Sequence, residues 1–409
     1  MVQRIIVAGA SLGGLRAAEQ LRAAGWAGEI LVVGEEEHPP YNRPPLSKDV
    51  LAAPGTPEEA LANLAFRPRR SATGIQWRLG TRITASNLVG RTITLDSGEE
   101  LDFDGLVVAT GLRPARVAAP GPRTGRHVLR SIDDALALHV ALQPGTRVGV
   151  IGSGFIGCES AATAASLGCA VTLVEGRTGP MERPLGPALS SGVRDLLAQR
   201  GVECRQAVSV LAFRGTESCT GMELSDGSVI DVDVIVEAVG SLANVEWLQH
   251  NGLDLVDGVE CDSHMRVLGA AGEPVPGVVA VGDIARYPDD RNRLPARRVE
   301  HWATPTDTAK IAAPALLAGF SGQPPAAAPA PLPSFWTDIF GTRINGIGSP
   351  ALAEETRVLE GDPNRPHAGV AVGYYRGDTL IGVVNAGLPA SRNLHYRQLV
   401  LDAGALVTI

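Results

Sequence analysis

The sequence predicts an α/β protein: two Rossmann-like dinucleotide-binding domains, one inserted in the other, followed by a small α+β C-terminal domain. Three observations carry this expectation. Two glycine turns occur in one chain, Gly9-Ala10-Ser11-Leu12-Gly13-Gly14 and Gly152-Ser153-Gly154-Phe155-Ile156-Gly157. Each follows a short apolar strand and opens an alanine-rich helix, the context that separates a phosphate cradle from a chance glycine cluster. A further apolar strand ending in an acid, Val278-Val279-Ala280-Val281-Gly282-Asp283, comes downstream of the second unit.

The first strand is Arg4-Ile5-Ile6-Val7-Ala8 and its counterpart is Arg147-Val148-Gly149-Val150-Ile151. Glycine is needed after each because the chain turns sharply, the backbone must approach a pyrophosphate closely, and the helix must pack tightly on its strand. The helix N-terminus, with roughly half a positive elementary charge, then faces the phosphates. Ser11 stands in place of the middle glycine of the first turn. Each unit closes with an acid after its next strand, Glu35 behind Ile30–Gly34 and Glu175 behind Ala170–Val174. Such an acid accepts a hydrogen bond from a free ribose 2′-hydroxyl and repels a 2′-phosphate, which predicts FAD or NAD and disfavours NADP. Arg177 follows Glu175 closely and partly offsets that repulsion, yet NADH remains the expected donor.

Leu106-Val107-Val108-Ala109-Thr110-Gly111 is another apolar strand ending in a tight turn. The proline- and alanine-rich run from Gln323 to Pro333 reads as a stiff, extended linker. Beyond it, Gly369–Tyr375, a turn at Arg376-Gly377-Asp378, and Thr379–Val384 have the spacing of a hairpin, with a helix near Pro389 to Leu401. The expected boundaries are 1–113 and 240–318 for the first nucleotide domain, 114–239 for the inserted one and 319–409 for the C-terminal domain.

At 409 residues and 44% hydrophobic content the chain can fill two or three cores. A formal net charge of -8 argues against nucleic acid or an anionic membrane surface as a partner, and no apolar run approaches a membrane span. Met1 leads directly into the first strand and leaves no room for a signal peptide, so a soluble, cytoplasmic protein is expected. Cys158, Cys169, Cys204, Cys219 and Cys261 show neither a C-x-x-C pair nor a metal-binding spacing. Each reads as a small buried hydrophobe or a reduced surface thiol.

Four further segments occur in order: Arg43-Pro44-Pro45-Leu46-Ser47-Lys48, Leu129–Ala135, Val299-Glu300-His301-Trp302 and Ser334-Phe335-Trp336-Thr337-Asp338. With the glycine turns they resemble the FAD-dependent NADH:ferredoxin reductases of bacterial oxygenase systems, a branch of the glutathione reductase-like flavoproteins. The resemblance implies an enzyme that takes a hydride from NADH and passes single electrons to a ferredoxin serving a cytochrome P450 or a ring-hydroxylating oxygenase. It implies FAD contacts from Gly9, Ser11, Gly13, Gly14, Glu35, Arg43, Lys48, Ile83, Ala109, Arg130, Asp283 and Trp302. The NAD contacts would be Gly152, Gly154, Gly157, Glu159, Glu175 and Gly240. Lys48, Glu159 and Trp302 would form the catalytic set, with Lys48 near the reactive edge of the isoalloxazine and paired with Glu159. Flavin disulfide reductases carry their redox cysteine where this chain has His38–Lys48, and that stretch has none, so electrons would leave the flavin directly.

Taken without the resemblance, Lys48 and Glu159 read as a surface lysine and a helix-surface glutamate. Arg130 also reads as the flank of a helix capped by Ser131 and Asp134. Trp302 and Trp336 are either core aromatics or a planar wall beside the flavin, and His301 has a backbone and packing role. Ser334 and Phe340 depart from the tryptophan and tyrosine common in the family. Because ferredoxins are usually acidic, the run Arg286, Arg291, Arg293, Arg297 and Arg298 is either a docking patch or a solvated loop diluted by Asp289 and Asp290. Competing functions are an NADH oxidase or peroxidase and a redox-sensing flavoprotein like apoptosis-inducing factor.

Overall fold

A computed structural model describes residues 3–67, 69, 72–176, 179–326 and 330–405. The chain divides into two compact units. One comprises Met1–Asn42, Ala65–Arg113 and Leu242–Pro333; the other comprises Arg43–Leu64, Pro114–Ser241 and Ser334–Ile409.

The first unit is built on a six-stranded sheet in the order Arg266–Leu268, Pro274–Ala280, Gly105–Val108, Arg4–Ala8, Glu29–Val33, Ile75–Arg78. Its central strands are parallel and read as unbroken apolar runs because they lie inside a core to which helices Leu12–Ala23 and Thr304–Phe320 and the antiparallel strand Thr92–Leu95 all contribute. Ile5, Ile6, Val7, Val32 and Leu106 are accordingly inaccessible to solvent. Helix Leu12–Ala23 follows the first strand, and helix Thr304–Phe320 packs beside it. The resumption expected from the sequence is visible in the register: Val278 pairs with Leu106 and Ala280 with Val108, after the chain has passed through the other unit.

The second unit contains an all-parallel five-stranded sheet ordered Val202–Gln206, Ala170–Glu175, Arg147–Ile151, Val234–Glu237, Arg126–His127. Helix Phe155–Ser166 follows the second glycine turn. A second sheet, antiparallel, runs Ser334–Ile339, Thr342–Gly348, Thr379–Ala386, Val370–Arg376, Glu355–Gly361. The expected hairpin is its Val370–Arg376 and Thr379–Ala386 pair, with Gly377 at φ +55° in the turn. Helix Ser391–Ala405 begins two residues after Pro389, which cannot donate to a helix. Short helical turns within 43–64 complete this unit, and Leu51 is fully buried in a core that includes Leu138, Val150 and Val372.

Helix Glu182–Gln199 is broken at Gly186 (φ +71°), immediately before Pro187. At the break the buried Tyr374 hydroxyl donates to the carbonyl of Leu185. Further along, a Cβ on Gly192 would lie 2.1 Å from the carbonyl oxygen of Pro363, so only glycine lets the C-terminal segment approach this helix.

Among the described residues, no helix is long and apolar enough to cross a membrane. All five cysteines are free; four are buried and Cys204 is half-buried. Burial pushes each thiol above its ordinary range, so none is a ready thiolate at neutral pH.

Glu237, at the carboxyl end of its strand, is buried against Arg126, whose guanidinium stacks 3.8 Å from the Phe213 ring centroid. The amide of Val117 donates to Glu237 Oε2 at 3.1 Å, and Arg126 Nη2 donates to the Val117 carbonyl at 2.9 Å. Arg126→Met leaves that carboxylate without its close partner and should destabilise the protein by about 3–5 kcal/mol. Adding Glu237→Gln should recover part of the loss, which urea unfolding of the single and double variants will measure.

Candidate functional site

In the first unit, Gly9 takes φ +115°, and a Cβ there would lie 2.2 Å from the Ala109 carbonyl oxygen. A Cβ on Gly14 would lie 1.8 Å from the oxygen of Gly9. These two glycines are therefore demanded by the turn and by helix–strand packing. Gly13 is different: its Cβ would meet Val281 oxygen at an ordinary 3.5 Å. Ser11 is the N-cap of helix Leu12–Ala23, extended at φ -97°, and its side chain does not cap the helix amides. Glu35 is exposed just past strand Glu29–Val33, and Ala109 is buried behind the turn. Asp283 is half-buried and follows Gly282, whose amide donates to Thr308 Oγ1 at 2.9 Å. Ile83 opens strand Ile83–Asn87. Trp302 is 47% exposed, and its Nε1 donates to Asn42 Oδ1 at 3.0 Å, a contact the sequence did not announce.

The basic run is interleaved with carboxylates. Arg286 pairs with Asp254 at 2.6 Å and Glu260 at 2.7 Å, Arg297 with Asp289 at 2.5 Å, and Arg298 with Asp257 at 2.7 Å and Glu300 at 2.9 Å. Three of its five arginines are thus neutralised by carboxylates, and the run is not an open positive strip. Beside it, desolvation and the charge of Arg297 push the His301 imidazole down to about 4, so it is neutral at neutral pH.

In the second unit, Gly152 (φ +95°) and Gly157 repeat the constraint, with prospective Cβ atoms 2.3 Å from Ala238 oxygen and 1.9 Å from Gly152 oxygen. Gly154 does not: nothing lies within 4 Å of its prospective Cβ. Open space at the N-cap of helix Phe155–Ser166 is what close approach of a pyrophosphate requires, so these residues fit a dinucleotide. Glu175 Oε2 accepts from the Ser153 amide at 2.9 Å and from the Ser153 hydroxyl, so the acid at the end of its strand lies directly against the turn. Gly240, at φ +111°, is likewise open around its prospective Cβ. Arg177 lies outside the described residues.

The same helix carries Glu159, which is only 5% exposed. Its Oε2 lies 2.6 Å from Lys48 Nζ and accepts from Ser47 Oγ at 2.5 Å, while Oε1 accepts from Thr337 Oγ1 at 2.7 Å. Lys48 Nζ also donates to the Pro44 carbonyl at 2.9 Å and sits 4.9 Å from the centroid of the half-buried Trp336 ring. Arg343 covers that ring at 3.7 Å. The expected Lys48–Glu159 pair is therefore formed and desolvated; a surface placement of either residue is excluded. Arg43 Nη1 donates to the Arg130 carbonyl at 2.6 Å. Ser131 and Asp134 form a capping box, and Asp134 also accepts from the Arg130 amide at 2.9 Å, so the helix-flank reading of Arg130 holds. Ser47 and Thr337 were missed as partners of Glu159 although both lie inside quoted motifs. A single sequence carries no signal linking them to a glutamate so far along the chain.

Residues 3–309 match the family described as pyridine nucleotide-disulphide oxidoreductase. The chain is 32% identical over 365 residues to the ferredoxin–NAD(+) reductase component of the p-cumate 2,3-dioxygenase system of Pseudomonas putida, covering 88% of this chain and 84% of that protein. It is 34% identical over 350 residues to the corresponding component of the biphenyl dioxygenase system of Paraburkholderia xenovorans, strain LB400, covering 85% and 81%. Among solved structures, the covalent putidaredoxin reductase–putidaredoxin complex is similar with a TM-score of 0.87 at 29% identity, covering 98% of this chain and 93% of the matched one.

Glu159→Ala strands the Lys48 ammonium and removes the acceptor of Ser47 and Thr337, so it should cost about 3–5 kcal/mol by urea unfolding. Glu159→Gln, which keeps an acceptor, should cost less. His301 gives the pH test: the unfolded chain takes up its proton near pH 6.5, whereas the folded chain does so only near 4. Stability present above pH 6.5 should therefore fall between pH 6.5 and 4, by at most about 1.4 kcal/mol per pH unit from this residue. His301→Asn should flatten that slope in thermal denaturation across the same range.

Proposed function

This chain belongs to the pyridine nucleotide-disulphide oxidoreductase family, and we propose that it is a ferredoxin–NAD(+) reductase, using FAD and NADH to reduce a ferredoxin that serves a cytochrome P450 or ring-hydroxylating oxygenase. The observation that carries the reading is the desolvated Lys48–Glu159 pair beside Trp336, in a chain whose 38–48 stretch has no cysteine. When bound, FAD supplies the chemistry, accepting a hydride's two electrons and releasing them one at a time.

The protein's part is binding, orientation and charge. Gly9, Ser11, Gly13 and Gly14 cradle the FAD pyrophosphate, and Glu35 accepts from its ribose. Ile83, Ala109, Asp283 and Trp302 complete that site. Gly152, Gly154, Gly157 and Gly240 receive NADH, with Glu175 on the adenine-side ribose. Segments 1–113 and 240–318 are assigned to FAD, 114–239 to NAD and 319–409 to the C-terminal domain. Lys48 places a fixed positive charge where negative charge accumulates, and Glu159 holds that ammonium in position without exposing it to water. Trp302 presents a flat, half-exposed apolar surface, and the Trp336 ring backs the Lys48 ammonium. With NADH as donor, the enzyme is placed in the cytoplasm.

The purified protein should be yellow and should bleach on anaerobic addition of NADH. In stopped-flow mixing with a [2Fe-2S] ferredoxin and cytochrome c, reduction of the cytochrome should depend on the ferredoxin. A colourless protein, or equal cytochrome reduction without ferredoxin, ends this reading. Lys48→Met should slow NADH-dependent bleaching by roughly 100-fold.

A further inference from the structure

Ser153 is 1% exposed, and three of its atoms are engaged. Its amide, at 2.9 Å, and its hydroxyl both donate to the same carboxylate oxygen of Glu175. Its carbonyl accepts from the Met181 amide at 2.8 Å. Met181 is the left-handed N-cap (φ 48°) of helix Glu182–Gln199. One small residue inside the glycine turn therefore fixes both the acid that ends strand Ala170–Glu175 and the residue that starts the next helix.

We propose that Ser153 is a specificity-determining residue for the nucleotide: by clamping Glu175 it sets the preference for a free ribose 2′-hydroxyl over a 2′-phosphate. The inference rests on the reading of Glu175 as the ribose acid. A glutamate side chain has three rotatable bonds, and at the end of a strand it can swing towards solvent. An acid that can move away yields to a bulky dianion, whereas an acid held in place must either be desolvated beside the phosphate or be displaced against two donors. Hydrogen bonds to a charged group are also the stronger kind, so the hydroxyl contributes to Glu175 beyond what the amide alone provides. Alanine at 153 keeps the amide, the carbonyl and the turn, and removes only the hydroxyl. Its effect should therefore fall on discrimination rather than on the cradle.

The test uses the full-length flavin-loaded protein and two ligands that lack nicotinamide, ADP-ribose and 2′-phospho-ADP-ribose, titrated by calorimetry. This reads binding without turnover. Ser153→Ala should lower the ratio of the two affinities about tenfold, mainly by strengthening the binding of 2′-phospho-ADP-ribose. Ser153→Gly, which the sharp turn accommodates, should behave alike and covers the case in which alanine fails to fold. Glu175→Gln separates the two claims. If Glu175→Gln changes the ratio and neither Ser153 variant does, the clamp is refuted while the ribose acid stands. If Glu175→Gln leaves the ratio unchanged, the reading of Glu175 itself falls. An equal weakening of both ligands by Ser153→Ala would reduce Ser153 to a structural part of the turn and overturn the proposal.

Discussion

The carboxylate of Glu159 is the constraint on which the second unit's chemistry depends. A buried carboxylate is tolerated only when its charge is matched and its lone pairs are filled, and here Lys48, Ser47 and Thr337 together do both. The consequence is structural as well as electrostatic. Ser47 and Lys48 come from the short helical turns of 43–64, Glu159 from the helix of the second glycine turn, and Thr337 from the first strand of the C-terminal sheet. Three segments far apart in sequence are tied at one acid, and the ammonium that results is fixed against an indole rather than left on a mobile stem.

The two glycine turns divide their duties in the same way. Outer glycines are imposed by the chain itself, because a side chain at Gly9, Gly14, Gly152 or Gly157 would collide with backbone oxygen. The middle position is left for a ligand, and in the second turn it is open. The acid behind the second turn is bound to that turn by the Ser153 amide, so backbone and side chain are coupled there.

Much of this was legible from local pattern. Strand, turn, helix and closing acid are contiguous in sequence, and the apolar runs of a parallel sheet are hard to mistake. The Lys48–Glu159 pair was not legible that way; it came only with the family resemblance, since no periodicity joins residues on different elements. The arginine run shows the opposite failure. Its charges are plain in the sequence, but Asp257 and Asp254 lie 41 and 32 residues from the arginines they neutralise. Local composition therefore does not show which distant carboxylates meet those arginines. Asn42 and Ser153 were hidden for a simpler reason: small polar residues in turns have a default explanation, and only coordinates reveal which side chain they serve.

The broken helix Glu182–Gln199 has a bearing on how this molecule can be taken apart. Its Leu185 carbonyl accepts from a tyrosine that belongs to the C-terminal sheet, and its Gly192 is a seat for Pro363. Excised as a recombinant fragment, residues 114–241 would present a raw polar seam and an empty notch where the tail had been. Anyone building chimaeras from this scaffold should move the inserted nucleotide module and the tail as one cassette.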